Sequence, residues 1–504
     1  MPTDPRGLRS DAPLFDAWLS FHKRTTHAFT IPGHKHRLDL VGDVVASDVP
    51  YYAGLDTMKL AHGVLADAQK RAARLWGADR CWFSAGGSTH GNQALALAVA
   101  RPGARVVITR SAHRSLVTAL VLAGLEPVWV IPDVDPATGL PLPITAEQLE
   151  RACKQAQSPS APLPDDDAQT SSGSGPRPPV LADPQLAAVF LTDPAYVGTH
   201  GDVAAWAEVA HAHGAPLIVD AAWAAHFGFH PDLPDHALAC GADALVTSAH
   251  KVLPAYSQAA LILLRSNRID QGRLETAIDA THTTSPAGSI YASIDASRAL
   301  LARDGEQLLG DCLGRVRRLR DRFASVPGLV VLDGPGIDPL KITLVLAGTG
   351  ADGIVIEQDL IAAGQPVELA DRDTIVAMVT MADEDADLEA LADNLIESIE
   401  CHRGAPRQPA GMAAYTITPE VVMSPRGAYY SGHAPTPIEF AVGHICAELI
   451  APYPPGIPVL APGERITEYA LDALLAARDA GARIAYAADP TLRTILTVVA
   501  PVPC

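Results

Sequence analysis

The sequence predicts an α/β protein with a mainly parallel sheet covered by helices. From about residue 60 to 265, short apolar runs alternate with helical patterns, which is typical of strand–helix–strand units. The runs are apolar along their whole length, as expected of strands that are buried on both faces. Ligands of such sheets gather where the parallel strands end. The first two thirds of the chain therefore indicate an α/β enzyme domain.

Seven strands are predicted for this sheet, with helices in the gaps between them. The strands are expected at residues 81–84, 105–109, 127–131, 187–192, 216–220, 244–247 and 259–264. Examples of the helices are expected at residues 89–100, 115–123 and 203–213. Each strand is a β-branched or apolar run and each helix shows the longer 3.6-residue period.

Two further features divide the chain. Residues 158–179 are rich in Pro, Asp, Ser and Gly, which predicts a disordered surface insertion. Beyond residue 325, strands at 328–332, 341–346 and 375–381 and helices at 353–363 and 387–399 predict a small α+β domain. Four parts are therefore expected along the chain: an N-terminal arm (1–62), a large domain (63–325), the small domain (326–402) and a C-terminal domain (403–504).

Composition excludes several classes of protein. The net charge of −19 and the pI near 5.3 argue against nucleic acid or an anionic membrane as a partner. No apolar run reaches the roughly 20 residues of a membrane helix. The seven cysteines are scattered without a CxxC pair, so neither a disulfide framework nor a metal site is expected. The first residues lack the apolar core of a secretion signal, and a cytoplasmic location is expected.

Lys251 is the first candidate for chemistry. Only seven of the 38 Lys and Arg residues are lysines, so positive charge has been given mostly to arginine. A lysine directly after the apolar run 242–246 indicates a need for an amine that can lose its proton, which arginine cannot do. The typical use of such an amine is a Schiff base with a carbonyl, as in pyridoxal phosphate enzymes.

Asp220 is a natural partner for this lysine. It ends a predicted strand 31 residues before Lys251, about one strand–helix–strand unit, so both residues can reach the same edge of the sheet. A buried carboxylate beside the ring nitrogen of pyridoxal phosphate keeps that nitrogen protonated. Alternatively, Asp220 caps the next helix.

Two more segments follow predicted strands. Residues 85–92 read Ala-Gly-Gly-Ser-Thr-His-Gly-Asn, and glycines with hydroxyls at a helix N-terminus can cradle a phosphate. Glycine-rich turns are also common without any ligand. His113, in the segment Arg110-Ser-Ala-His-Arg-Ser115, could stack on a cofactor ring or move a proton, although a single histidine is more often structural.

Together these segments resemble the ornithine/lysine/arginine decarboxylases, pyridoxal phosphate enzymes of the aspartate aminotransferase fold (fold type I). The resemblance covers nearly the whole chain and depends on an ordered set of motifs. They include Phe29-Thr-Ile-Pro-Gly-His-Lys35, Gly54-Leu-Asp56, the glycine turn, Leu191-Thr-Asp-Pro-Ala-Tyr-Val-Gly198, Ser248-Ala-His-Lys-Val-Leu-Pro254, Thr284-Ser-Pro286, Asp338-Pro-Leu-Lys341, Tyr453-Pro-Pro-Gly-Ile-Pro458 and Pro462-Gly-Glu464.

The resemblance implies a role for each matching residue. Lys251 would form the Schiff base, Asp220 would pair with the ring nitrogen, and His113 would stack on one ring face. The other face would contact Ala222, and the ring hydroxyl would contact Trp223. The phosphate would be held by a set of residues on two loops: Gly87, Ser88, Thr89, Ser248 and His250.

The resemblance also implies a shared active site. Thr284 or Ser285 would reach the phosphate of a neighbouring subunit, so a homodimer is the least assembly expected. Long members of the family begin with a wing domain, which is expected to be absent here because the Gly-His-Lys motif lies within the first 35 residues. His36 and Arg37 depart from the family pattern, and so does the insertion at 158–179.

The implied reaction is α-decarboxylation of a basic amino acid in polyamine-type metabolism, with arginine slightly favoured over lysine and ornithine. Glu464 and Asp56 could read the substrate side chain, or they could be structural or solvated. Two alternatives remain open: another enzyme of the same fold, such as an aminotransferase or lyase, and a non-catalytic pyridoxal-binding protein.

Overall fold

The computed structural model describes most of the chain. The described residues are 3–25, 29–50, 55–56, 62–101, 103–158, 186–410, 413–453 and 456–499. Nearly all of the insertion predicted at 158–179 therefore lies outside the described residues, as does Gly54 of the Gly54-Leu-Asp56 motif.

A seven-stranded sheet contains the predicted strands. They are Arg80–Ser84 (β1), Arg105–Thr109 (β2), Glu126–Val130 (β3), Leu186–Thr192 (β4), Leu217–Asp220 (β5), Ala244–Thr247 (β6) and Ala260–Leu264 (β7). Their order is β1-β7-β6-β5-β4-β2-β3. Strand β2 runs parallel to β3 and β4, and β5 runs parallel to β6, whereas β7 is antiparallel to β1 and β6. The mainly parallel sheet is confirmed, and every predicted strand end is within one residue of the observed one.

The strands form because their sequences suit burial on both faces. Every residue of β2, β5, β6 and β7 is buried, and these runs consist largely of Val, Ile, Leu and Ala. β-branched side chains pack well on a pleated surface. Continuous rather than alternating burial is the pattern of a parallel sheet covered on both sides.

Helices occupy the gaps between strands, as predicted. In the described residues they are Pro13–Arg24 (α1), Leu38–Val41 (α2), Val64–Leu75 (α3), Gly87–Val99 (α4), Arg114–Ala123 (α5), Ala146–Gln157 (α6), Val203–Ala212 (α7), Ala249–Val252 (α8), Gln271–Thr281 (α9), Gly288–Ala324 (α10), Gly353–Ala362 (α11), Asp385–Cys401 (α12), Pro425–Tyr430 (α13) and Glu468–Asp479 (α14). Among the three predicted helices, α4 begins two residues earlier than expected because the glycine turn itself enters the helix.

The chain divides into two compact units. The first comprises Met1–Ala98, Ile218–Asp311 and Thr380–Ala382, and the second comprises Val99–Leu217, Cys312–Val379 and Asp383–Cys504. In the first unit, Leu8 and Ala12 pack with Ala299 and Leu300 in a small apolar cluster. Helix α4 also packs closely in this unit, because a Cβ on Gly91 would lie only 2.6 Å from Val246 Cγ1.

The second unit contains a separate four-stranded antiparallel sheet. Its strands are Val330–Val331 (β8), Lys341–Val345 (β9), Leu369–Ala370 (β10) and Thr374–Met378 (β11), in the order β10-β11-β9-β8. The strand predicted at 328–332 is wrong in length, because Gly328 has a φ of +82° and the strand includes only two residues. The strand predicted at 375–381 likewise stops at Met378.

The last part of the chain forms two short antiparallel pairs. His433–Pro437 (β12) pairs with Thr494–Val498 (β15), and Ala451–Tyr453 (β13) pairs with Arg483–Ala485 (β14). A cluster of buried apolar side chains, including Ile450, Leu460 and Leu474, packs beneath them.

Candidate active site

Asp220 and Lys251 follow the ends of two adjacent parallel strands. Asp220 is the last residue of β5 and pairs in register with Val246 of β6. Ser248 follows β6 and precedes the four-residue helix α8, which carries Lys251. Because both strands end at the same edge of the sheet, the carboxylate and the amine belong to one edge, as predicted from the 31-residue spacing.

The carboxylate of Asp220 is buried and held by two donors. Asn92 Nδ2 donates to Oδ2 at 2.8 Å, and the backbone N–H of Ala222 donates to Oδ1 at 3.2 Å. Asp220 caps a turn in this way, but no helix begins there. Both donors are neutral groups, and a buried carboxylate is satisfied better by a cation. A protonated pyridine nitrogen would supply one.

Asn92 was not identified from the sequence as a functional residue. It lies on α4, five residues after Gly87, and its side chain is buried. Its amide fixes one oxygen of Asp220 and so orients the carboxylate. The only signal in the sequence was its position at the end of the quoted segment 85–92.

The amine of Lys251 lies against an aromatic ring. Its Nζ is 3.6 Å from the centroid of the Trp223 ring, within the range of a cation–π contact. Trp223 is itself buried and lies three residues after Asp220, in the same segment as Ala222. Trp223 thus contacts the amine, and its implied contact with the ring hydroxyl of the cofactor stays a prediction.

The glycine turn joins β1 to α4. Gly87 has a φ of +67°, and a Cβ added there would meet nothing within 4 Å, so the space above the turn is open. Ser88 Oγ lies 2.7 Å from Ser248 Oγ, which brings two of the predicted phosphate ligands together. Thr89 is exposed at the same helix N-terminus. The backbone N–H of Gly87 donates to the carbonyl oxygen of Gln258 at 2.9 Å, so an anion at the start of this 13-residue helix would be bound by the hydroxyls and by the amides that follow Gly87.

His250 was predicted to help hold the phosphate. Its Nδ1 lies 2.9 Å from the carbonyl oxygen of Ala259, so Nδ1 carries the hydrogen and donates. The other nitrogen, Nε2, then accepts in the neutral ring. His250 could therefore donate to a phosphate only when its imidazole is protonated.

Ala222 is buried beside Asp220, whereas three other predicted residues are exposed. His113, in the second unit, is the N-cap of α5, where Nδ1 accepts from the backbone N–H of Ser115 at 3.2 Å. This is the structural role that the sequence left open, and it also fixes the orientation of the exposed ring. Thr284 and Ser285 are exposed residues just before α10.

Glu464 and Asp56 both have structural partners. Glu464 is almost fully buried and forms a two-pronged ion pair with Arg110, at 2.6 and 3.0 Å. Asp56 Oδ2 accepts from the backbone N–H groups of Gly63 and Leu65 at the start of α3. Both carboxylates are therefore already bonded within the chain, and neither has the geometry of a free group that binds a substrate side chain.

The residues present fit pyridoxal phosphate. They supply an amine on an aromatic face, a buried carboxylate with neutral donors, and paired hydroxyls at an open helix N-terminus. These groups match the aldehyde, the ring nitrogen and the phosphate of the cofactor. Among the described residues, no group of three or more His, Cys, Asp or Glu side chains could hold a metal ion.

The fold and this site define the class of pyridoxal phosphate enzymes with fold type I. Within that class, the family model "Orn/Lys/Arg decarboxylase, major domain" matches residues 12–334, and the C-terminal domain model of the same family matches residues 410–484. The chain belongs to the Orn/Lys/Arg decarboxylase family. It is a pyridoxal phosphate-dependent amino acid decarboxylase that acts on basic amino acids.

Relatives agree with this assignment, and a solved structure agrees in fold. The chain is 29% identical to an arginine decarboxylase of Halalkalibacterium halodurans, over 97% of this chain and 98% of the relative. It is 23% identical to the lysine decarboxylase LdcA of Pseudomonas aeruginosa, over 90% of this chain and 74% of the relative. The solved structure of lysine decarboxylase A from Pseudomonas aeruginosa superposes with a TM-score of 0.78 at 20% identity, over 97% and 80% of the two chains. No helix among the described residues is both long and apolar enough to span a membrane.

Proposed function

We propose that this enzyme decarboxylates arginine in preference to lysine and ornithine. The preference is supported by the arginine decarboxylase that matches over almost the full length of both chains. The proposed reaction depends on one observation: Lys251 and Asp220 lie at the same edge of the sheet. The amine product would enter polyamine-type metabolism.

Each predicted site residue has a proposed task in this reaction. Lys251 binds the cofactor aldehyde through its amine, and Asp220, held by Asn92, keeps a proton on the ring nitrogen. Bound pyridoxal phosphate supplies an electron sink for the electron pair left when the bond from Cα to the carboxylate breaks. Carbon dioxide leaves, and a proton then adds to Cα to give the amine.

The other residues position the cofactor. Ser88, Thr89 and Ser248 hold the phosphate at the N-terminus of α4, where Gly87 leaves the space above the turn open, and protonated His250 would add a donor. In the proposed arrangement, Ala222 and His113 contact the two ring faces. Trp223 keeps the Lys251 amine on the face of its ring.

A homodimer in the cytoplasm is part of the proposal. Residues 29–44 expose several large apolar side chains, namely Phe29, Ile31, Leu40, Val41 and Val44. Exposed apolar patches of this kind mark interaction surfaces. In the proposed dimer, Thr284 and Ser285 reach the phosphate of the neighbouring subunit, and a second copy covers the apolar segment.

The test is to measure carbon dioxide and amine formation from arginine, lysine and ornithine side by side. We expect the highest kcat/KM with arginine. Lys251→Arg keeps a cation beside Trp223 but cannot bind the aldehyde, so carbon dioxide release should fall to background. Lys70→Ala, at an exposed position on α3, is the matched control and should keep full activity.

The alternatives give different outcomes in the same experiment. An aminotransferase would convert the amino acid to a keto acid without releasing carbon dioxide. A non-catalytic pyridoxal-binding protein would be yellow and would lose the colour on borohydride treatment, yet form no product. Near wild-type turnover by Lys251→Arg would contradict the role proposed for Lys251.

A further inference from the structure

His282 makes three hydrogen bonds that connect two separate segments of the first unit. Its Nδ1 donates to the carbonyl oxygen of Thr283 at 2.8 Å. With the hydrogen on Nδ1, Nε2 is an acceptor, and it receives the backbone N–H of Ala85 at 3.2 Å and the hydroxyl of Tyr291 at 3.1 Å. One ring thus holds the residue that begins the glycine turn and the segment that leads to Thr284 and Ser285.

A second histidine supports the same turn from the other side. His90 Nε2 donates to the carbonyl oxygen of Ile278 at 3.2 Å, so its Nδ1 accepts from Ser84 Oγ at 2.8 Å. Ser84 Oγ in turn accepts from the backbone N–H of Gly86 at 3.0 Å. The rings of His90 and His282 meet edge to face, with centroids 4.6 Å apart.

Both rings are suited to a fixed, neutral arrangement. Burial lowers the pKa of His90 to about 4, and burial also lowers the pKa of His282. A neutral ring has one donor and one acceptor nitrogen, which is what each network requires. Asp279, whose charge acts to raise the pKa of His282, and the carbonyl of Thr283 oppose the effect of burial without reversing it.

We propose that His282 is a positioning residue that sets the shape of the phosphate-binding turn through the Ala85 N–H. The inference rests on the proposed placement of the cofactor phosphate at residues 87–89. Ala85 is buried and lies two residues before Gly87, so a change in the direction of its N–H changes where the following amides and the Ser88 hydroxyl point. The ring does not contact the phosphate; it acts through the backbone.

Two variants separate the hydrogen bond from the packing. His282→Phe keeps an aromatic ring beside His90 and Tyr291 but removes both nitrogens. His282→Gln keeps an acceptor near the position of Nε2. Thr281→Ala changes the preceding residue, whose hydroxyl donates to the carbonyl oxygen of Ala277 within α9, and serves as the control for local damage.

The measurement is the dissociation constant of the apo-protein for pyridoxal phosphate and for pyridoxal, which lacks the phosphate. We expect His282→Phe to weaken pyridoxal phosphate binding about tenfold, as one lost hydrogen bond predicts, while pyridoxal binding stays unchanged. His282→Gln should restore binding to within about threefold of wild type. The phosphorus NMR signal of the bound cofactor should shift in His282→Phe and return in His282→Gln.

The outcomes distinguish this inference from the proposed function. If His282→Phe binds pyridoxal phosphate as tightly as wild type, or loses affinity for both ligands equally, His282 does not position the phosphate turn. If the wild-type protein itself binds pyridoxal no more weakly than pyridoxal phosphate, the placement of the phosphate at residues 87–89 fails first.

Discussion

Replacing Glu464 by Gln should strongly destabilise the second unit. Glu464 and Arg110 are both almost fully buried, and the two prongs of their ion pair measure 2.6 and 3.0 Å. Gln preserves the shape of the side chain and one acceptor oxygen but removes the negative charge. The guanidinium then remains buried without its counter-charge, which costs about 3–5 kcal/mol. That cost is a factor of about 10² to 10³·⁵ in the folding equilibrium.

The remaining contacts of Arg110 explain why the pair cannot simply be replaced by apolar residues. Its Nε donates to the carbonyl oxygen of Pro458 at 2.9 Å, and Nη2 donates to that of Val459 at 2.8 Å. The guanidinium also stacks 4.7 Å from the ring centroid of Trp129. Replacing Arg110 by Met together with Glu464→Gln removes the unpaired charge but leaves two carbonyls without their donor. We therefore expect the double variant to recover only part of the lost stability.

Glu420→Gln is the matched control for this prediction. Glu420 pairs at 3.0 Å with Arg465, the residue directly after Glu464 in the chain. Both side chains of this pair are substantially exposed. An exposed ion pair contributes about 0–1 kcal/mol and is screened by salt. The assay is the urea midpoint of unfolding at low and high salt. A Glu464→Gln midpoint no lower than that of Glu420→Gln would refute the reasoning.

Four other predictions concern titration, the carboxylate site and packing. Burial raises the pKa of Asp193 to about 7, so the folded state holds a proton that the unfolded chain releases near pH 4. The stabilisation from Asp193 is therefore lost as the pH rises from about 4 to 7, by about 1.4 kcal/mol per pKa unit. Asp193→Asn should remove this slope from urea midpoints measured across that range. The hydrogen bond from the Thr491 side chain lowers the pKa of Asp489 to about 2, so Asp489→Asn should show the opposite sign, losing a stabilisation that is present above pH 4 and disappears towards pH 2. Asn92→Leu removes the hydrogen bond to the buried carboxylate of Asp220, which contributes about 1.5–3 kcal/mol. The variant should bind pyridoxal phosphate ten- to hundredfold more weakly in an absorbance titration. Unchanged binding would exclude Asn92 from the site. Gly91→Ala places a Cβ 2.6 Å from a methyl carbon of Val246 in β6, and this overpacking should lower the free energy of unfolding by about 1–3 kcal/mol. Gly33→Ala is the control: a Cβ there meets nothing within 4 Å, so the thermal midpoint should stay nearly unchanged.

The large sheet was predictable because its strands are short apolar runs with clear ends. Strands β2 and β6 were predicted to the residue, since complete burial selects apolar residues at every position. The first strand of the small sheet was overestimated because its residues are partly exposed, and exposure removes the pattern on which such a prediction depends. Local sequence also cannot show that Gly328 adopts a positive φ.

The residues of the site were predictable to the extent that each follows a strand. Asp220 and Lys251 could be placed at one edge from their 31-residue spacing, and the glycine turn could be placed directly after a strand. The roles of Asn92 and His282 could not, because a buried amide and a structural histidine look the same in sequence as their exposed counterparts. The partner of Glu464 lies 354 residues away, and no local pattern connects them.

The contact between Lys251 and Trp223 gives the protein an internal optical reporter. Trp223 is one of six tryptophans, and its indole face is 3.6 Å from the amine that is proposed to bind the cofactor. Tryptophan emission overlaps the absorption of pyridoxal phosphate, so excitation energy would pass from this indole to a cofactor held at Lys251. Cofactor loading could then be followed in real time from the loss of Trp223 fluorescence, with Trp223→Phe as the dark reference.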